Sequence, residues 1–385
     1  MKQYIPLGKV ISKASVERCG DRQLPVLSIT MKDGLILQDE KFKKRIASAD
    51  TADYKVIPRG KLVQGIHIDE ANFGIQDIVD EGIVSPAYKV WEIDSSIIFP
   101  KYLEMIMRSP RCISFYRSKL NGSVNRRGRI TDDDFLAMPI PFVDYEQQKK
   151  IISIICQTSG IIALYNRQLL ALATLIKARF VEMFGTYPAN EKGWSTGTIR
   201  DLVTEVRYGS SRKAAEGTSG QFPYLRMNNI TYNGELDLSD TKTIDVPEEE
   251  LDKCTVRRGD LLFNRTNSKE LVGKTCVYNR DERMVLAGFV VRVRLNEKVL
   301  PEFVSAFMNT DFSKQMLLNM CKAAIGQANI NAQELQNIGI YIPPISLQKE
   351  FVCFKDQIDK SKIVVQQALD KAQLLFNSLM QQYFG

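Results

Sequence analysis

A mixed α/β (α+β) fold is what this sequence predicts: two similar domains separated by two long antiparallel coiled-coil helices and related by an internal pseudo-twofold. Three observations predict it. Sliding the sequence on itself by 200 residues lays Ile130 to Gly185 over Ile330 to Gly385 without a gap, so the chain is a tandem duplication. Short runs rich in β-formers, punctuated by Gly, Asn, Asp and Pro, fill the first part of each copy. Each copy then closes on a stretch whose apolar residues recur at alternating intervals of four and three, the spacing of a coiled-coil seam.

The first domain spans 1–143. Its β-rich runs include "LPVLSIT" and "GIVSPAYKVW", and a helix is expected near 101–120. The first spacer helix covers 144–185, where positions 151, 155, 158, 162, 165, 169, 172, 176, 179 and 183 form a seam broken by the polar Thr158 and Arg179. The second domain spans 186–345, with "TCVY" and "LAGFVVRVRL" as strands and a helix near 302–321. The second spacer helix, 346–385, repeats the seam in a poorer form, with Lys355 and Lys362 among its members.

Upstream segments of the two copies also correspond, "FPKYLEMIM" (99–107) with "LPEFVSAFM" (300–308) and "IPRGKL" (57–62) with "RRGDLL" (257–262). Over the gapless stretch only nine positions are identical: Ile330, Ile340, Gln348, Lys349, Gln357, Leu369, Leu375, Phe384 and Gly385 repeat residues 200 earlier. Phe-Gly therefore ends both copies. Glycine after the last helical turn, with Pro188 beyond it, makes Phe184 the last apolar contact of a helix. The alternative is two separate domains whose terminal helices pack on their own cores.

With 385 residues the chain is long enough for two cores. It is 44% apolar and 25% charged, with no low-complexity tract. The start has no signal-peptide core, and no later run approaches ~18 apolar residues without polar interruption, so a cytoplasmic location is expected. Seven scattered cysteines and a single histidine, His67, argue against a disulfide framework or a zinc site. The net charge is +7, and Met105 to Thr131 carries seven Arg and Lys without one acid, a stripe that suits either a polyanion or a solvated face.

Within the second copy, "VRYGSSRKAAEG" (206–217), "YLRMNNI" (224–230), "GDLLFNRTNSKELVGKTCVY" (259–278), "GQANINAQEL" (326–335) and "IPPISLQKEF" occur in that order. This ordered set resembles a target-recognition domain of the specificity subunit of a type I restriction-modification system. "VIPRGKLV", "GIVSPAYKVW" and "PIPFVDYEQQKKI" in the first copy resemble the same family, so the resemblance covers nearly the whole chain. It implies that each domain reads one half of a bipartite double-stranded DNA target while the helices set the gap. It further implies two modification (methyltransferase) subunits as partners, with restriction or motor subunits joining. S-adenosylmethionine, ATP and Mg would then belong to those partners, and this chain would bind no cofactor and have no catalytic residue.

The residues agree with a non-catalytic role. Gly273-Lys274-Thr275 lacks the earlier glycine of a phosphate loop, because position 268 is Ser. "YIPP" (341–344) is not the Asn-Pro-Pro-Tyr of an adenine methyltransferase, and His67 has no Ser or Cys partner in the pattern. The rival readings are a free-standing bipartite DNA-binding regulator and a coiled-coil adaptor.

Bases in the major groove are read by Arg, Asn and Gln, and phosphates are held by Lys and Arg. The candidate contacts in the second domain are Ser210, Ser211, Arg212 and Lys213, then Arg226, Asn228 and Asn229, then Arg265, Asn267 and Ser268, then Gln327 and Asn329. In the first domain the internal alignment nominates Asn125, Arg126, Arg127 and Arg129. Asn228 and Asn229 could instead close a turn, and Arg265 could pair with Asp260 or Glu270.

Overall fold

The computed structural model describes residues 3–31, 33–41, 50–119, 130–215, 219–323 and 327–385. The chain divides into two compact units, Met1–Tyr165 with Ala368–Gly385, and Asn166–Gln367. Each unit thus takes part of both long helices, Tyr145–Phe184 and Ile345–Phe384, which are 40 residues apiece.

In the first unit Gln3–Pro6 pairs antiparallel with Pro139–Phe142. A four-stranded antiparallel sheet follows in the order Ile11–Lys13, Lys89–Ile93, Leu62–Gln64, Phe73–Ile75. The helix Pro100–Met107 packs its apolar face, Tyr102, Leu103, Ile106 and Met107, into the core against that sheet. Proline sits at its first position, where a missing N–H costs nothing. The helices Pro110–Lys119 and Asp132–Leu136 complete the layer.

The second unit repeats this plan. Ser195–Thr198 pairs with Gly339–Ile342, and the sheet runs Val203–Tyr208, Val290–Leu295, Leu261–Asn264, Thr275–Val277. The helices Pro301–Met308, Asp311–Met320 and Ala332–Gln336 follow in the same sequence. A second sheet is also shared in outline: Lys242–Ile244, Phe222–Leu225, Met284–Leu286, Thr255–Val256 in the second unit answers to Gly34–Leu37, Leu27–Thr30, Glu81–Val84, Lys55–Pro58 in the first, where a parallel Val26–Ile83 bridge joins the two pairs. Among the described residues only the small sheet of Thr266–Asn267, Ala328–Asn329 and Lys322–Ala323 is specific to the second.

The sparse identities of the repeat have a physical basis. Gln148 is fully buried: its Oε1 accepts from Phe99 N at 2.7 Å, and its Nε2 donates to Ile97 O and Val143 O. Gln348 does the same with Leu300 N at 2.8 Å, Lys298 O and Pro343 O. In each copy a side chain of the long helix satisfies backbone groups at the start of the short helix, and only an amide offers a donor and an acceptor there. Ile130, Ile330, Ile140 and Ile340 are all core residues.

Phe184 and Phe384 are also fully buried. Phe184 lies in the second unit against Phe303 (centroids 5.0 Å) and Phe351 (5.7 Å), and Phe384 lies in the first unit against Tyr102 (5.4 Å). Tyr102 and Phe303 occupy corresponding places in the repeat. Gly185 takes φ +81°, and a Cβ there would meet Glu191 Oε2 at 2.6 Å, so glycine is required to turn the chain out of the helix.

All ten seam positions of the first helix are buried or half-buried, as are those of the second. In the first unit Ile151 and Ile155 share a core with Phe376, Met380 and Tyr383. In the second, Ile176 and Phe180 share one with Leu347 and Phe351. The start of one helix therefore meets the end of the other in both units, and the segments run antiparallel. A helix packing only on the core that precedes it, the alternative weighed from sequence, is not what the chain does. Of the polar seam residues, Thr158 returns its hydroxyl to Ile154 O, and Arg179 reaches Glu350 at 3.1 Å and Glu182 at 3.0 Å.

The first long helix contains an 18-residue window of mean hydropathy 1.3, long and apolar enough by composition to cross a membrane. Polar breaks such as Asn166-Arg167-Gln168 interrupt it, as the sequence showed. The hydropathy is high because apolar residues lie outside the seam as well: Ile161, Leu164, Leu170 and Leu175 are exposed.

Candidate nucleic-acid interface

The second unit's main sheet ends at an edge assembled from four segments. Gly209 donates its N–H to Val290 O, and a Cβ at Gly209 would lie 2.2 Å from Leu286 O, so glycine lets the 209–211 turn press against 286–288. Ser210 N donates to Leu286 O at 2.6 Å, and Gly288 N returns a bond to Ser210 O. On the other side Arg265 N donates to Phe289 O at 3.0 Å, and Ile330 N donates to Arg265 O. Asn264, fully buried, fixes the turn by donating to both Thr266 O and Phe289 O.

This edge gathers Ser210, Ser211, Arg212, Arg265, Asn267, Ser268 and Asn329, with Gln327 exposed at the start of the last strand. Ser210 is buried and its hydroxyl accepts from Arg212 N, so it shapes the turn, whereas Ser211 and Lys213 are exposed. Arg212 forms a two-pronged pair with Glu250 (3.1 and 2.7 Å), and the carboxylate raises its pKa further. Asn267 and Ser268 form a local knot: Asn267 Nδ2 donates to Asn264 Oδ1, and its Oδ1 accepts from Ser268 N. Asn329 Oδ1 accepts from the Thr266 hydroxyl at 2.8 Å.

The "RMNN" turn lies elsewhere in the unit and is mostly self-satisfied. Arg226 pairs with Asp240 at 2.9 Å. Asn229 is buried; its Oδ1 accepts from Arg226 N at 2.8 Å, and its Nδ2 donates to Asp237 O and Asp240 O. The turn-closing role considered from sequence is correct for Asn229, while Asn228 is exposed. Asn229→Ala is accordingly expected to lower unfolding free energy by about 2 kcal/mol through orphaned backbone groups, and Asn228→Ala to leave it within about 0.5 kcal/mol. Thermal melts of the two variants check this.

Arg265 does not pair with Asp260 or Glu270. Asp260 is taken by Arg294 at 2.9 Å, and the Arg265 guanidinium lies 4.8 Å over the Tyr208 ring. Lys274 of the discarded phosphate loop is buried, with Nζ donating to Met227 O at 2.7 Å and its pKa lowered by that burial. Asn125, Arg126, Arg127 and Arg129 lie outside the described residues. The described part of the basic stripe is engaged internally: Arg108 donates to Met31 O, Arg111 covers the Tyr4 ring at 4.3 Å, and Lys119 meets Asp134 at 3.3 Å.

Residues 191–372, which hold this edge, match the family described as Type I restriction modification DNA specificity domain. That stretch is similar to the DNA specificity domain of type I restriction-modification systems. The chain is 23% identical over 302 residues to the Type I restriction enzyme EcoKI specificity subunit of Escherichia coli (strain K12), a match covering 74% of this chain and 64% of that one. It is 25% identical over 169 residues to the putative MjaX specificity subunit of Methanocaldococcus jannaschii, covering 43% of this chain and 39% of the relative. These matches take in less than two thirds of either relative's own length.

Two solved structures share the specificity-subunit fold. One, from work on complex assembly and conformational transition of the type I R-M system, gives a TM-score of 0.58 at 18% identity, covering 100% of this chain and 97% of the other. The S subunit from M. genitalium gives 0.55 at 12%, covering 100% and 96%.

Two residues at the edge of this specificity domain were not singled out from sequence. Tyr208 is 45% exposed and Phe289 is 52% exposed, although both belong to motifs that were quoted. An aromatic between a strand and a Gly-rich turn reads as core from periodicity alone. Only the bonding of the 209–211 turn against 286–290 shows that these two rings face outward.

Proposed function

We propose that this chain is the DNA-reading subunit of a type I restriction-modification complex. Each unit would recognise one half of a bipartite double-stranded target, and the chain would recruit two adenine methyltransferase subunits and, through them, restriction subunits. The observation that carries this reading is the specificity-domain match over 191–372 in a chain whose first unit repeats the same sheet and helix order. The resemblance of the edge to a recognition surface supports it, since Arg, Asn, Gln and Ser converge there on rigid strand ends.

In this reading the chain is non-catalytic and cytoplasmic. It binds no cofactor; S-adenosylmethionine, ATP and Mg serve the partner subunits. The apolar residues on the outer faces of the long helices, Leu164 and Leu170 on one and Val364 and Leu374 on the other, support a platform role for partner contacts.

The test is a genome-wide map of adenine methylation in cells carrying this chain with its neighbouring modification subunit, against cells lacking only this chain. A split motif that vanishes with the chain is the expected result, and identical maps overturn the reading. Exchanging residues 193–343 for another recognition domain is expected to change one half of that motif and leave the other. A change in both halves would contradict modular reading.

A further inference from the structure

Resting on that reading, we infer that Arg265, held over the Tyr208 ring, reads a guanine in the half-site of the second unit, and that Phe289 makes an apolar contact with the neighbouring base pair. The starting observation is electrostatic. Arg212, Arg226 and Arg258 each face a carboxylate, Glu250, Asp240 and Asp281 respectively. Among the described residues Arg265 has no side-chain hydrogen bond or ion pair, and its Nε is buried without a partner. A guanidinium so placed retains its terminal donors for a ligand, because no acid among the described residues pairs with it.

Geometry then selects the kind of ligand. The Arg265 guanidinium lies 4.8 Å over the Tyr208 ring, a contact that restricts the end of the side chain and pre-orients its fork. Tyr208 is itself anchored, with its hydroxyl accepting from Ala332 N at 3.1 Å. The backbone of Arg265 is clamped on both sides, by Phe289 O and by Ile330 N. A rigid planar fork matches the paired acceptors O6 and N7 of guanine in the major groove, whereas a phosphate needs only a positive charge on a flexible stem. Phe289, whose carbonyl accepts from Arg265 N, is 52% exposed, so the segment that holds Arg265 also presents an apolar ring to solvent.

The experiment is the methylation map, read for the chain and for Arg265→Lys and Phe289→Ala in the complex with its modification subunit. Arg265→Lys keeps the charge and loses the fork. It is expected to relax one guanine position in one half-motif by about tenfold or more while the other half is read unchanged. Phe289→Ala is expected to relax the adjacent position of the same half. The unaltered half-motif reports that each variant still folds and recruits its partner. Full retention of the guanine by Arg265→Lys, or equal weakening at every site as for a phosphate contact, overturns the inference and leaves the proposed function standing. A chain that directs no split motif at all removes both.

Discussion

Replacing Phe184 with alanine lowers the stability of the chain by about 3 to 5 kcal/mol, with a drop in Tm of about 10 °C. The ring is fully buried at the end of the first long helix and is enclosed by Phe180, Phe303 and Phe351 at centroid distances of 4.9, 5.0 and 5.7 Å. Alanine would leave a cavity that three packed aromatics cannot close, so the loss combines transfer free energy with the cavity term. Phe384→Ala is expected at the lower end of the same range, since among the described residues its ring packs on one other ring, Tyr102 at 5.4 Å, where Phe184 packs on three. Thermal or urea unfolding of the two single variants checks both. A shift under about 1 °C for Phe184→Ala would show that the helix end is not part of the core.

The second large effect is expected at Glu205. Arg292 is almost wholly buried in the centre of the second unit's main sheet, where it bonds Thr255 O and pairs with Glu205 Oε2 at 3.1 Å. Arg294 shares that oxygen at 2.6 Å and ties the group to buried Asp260 at 2.9 Å. Removing the carboxylate in Glu205→Ala strands the Arg292 charge, at a cost of about 3 kcal/mol after allowing for the partial exposure of Glu205. Arg292→Met added to Glu205→Ala is expected to recover most of that loss, because it takes away the stranded charge and keeps the volume. A double variant no more stable than the single one would contradict this account.

The same group gives stability a pH dependence of known sign. Burial alone would raise the Glu205 pKa, but the bond from Arg207 and the charges of Arg292 and Arg294 outweigh it, and the folded-state value lies below the ordinary one. A depressed carboxylate contributes stability that is present above the unfolded value near ~4.3 and is lost as pH falls through the folded value. Unfolding free energy is therefore expected to decline more steeply below about pH 4.5 in the parent than in Glu205→Gln. Chemical denaturation across pH 3 to 6 measures the difference.

Much of the fold was legible because periodicity and duplication are local properties of the chain. The seam positions from Ile151 and from Phe351 are the less exposed positions of their helices, and the helices end at Phe184 and Phe384 where Phe-Gly repeats. Gln148 and Gln348 stood out as identities, but their reason did not. Two bonds per side chain to a segment about 50 residues away cannot be seen from spacing. The candidate interface was legible by composition and less so by role. Arg212, Arg226 and Arg265 read alike in sequence, yet the first two are neutralised by Glu250 and Asp240, acids 38 and 14 residues further along the chain.

By itself, then, the sequence determined that there are two copies of one plan, that each ends in a long amphipathic helix, and which face of that helix is covered. These follow from side-chain chemistry repeating at the period of the backbone, which needs no knowledge of distant contacts. The antiparallel pairing of the two helices was expected from their shared seam, and the tertiary structure alone decided which side chains share a core there, such as Ile151 and Ile155 with Phe376, Met380 and Tyr383. It also decided that Tyr208 and Phe289 are exposed, and that Arg265 lies over a tyrosine ring while Arg212 and Arg226 are each paired with a carboxylate. Each of those outcomes depends on pairing between segments remote in sequence, and a carboxylate neutralises an arginine through space, whatever its distance along the chain.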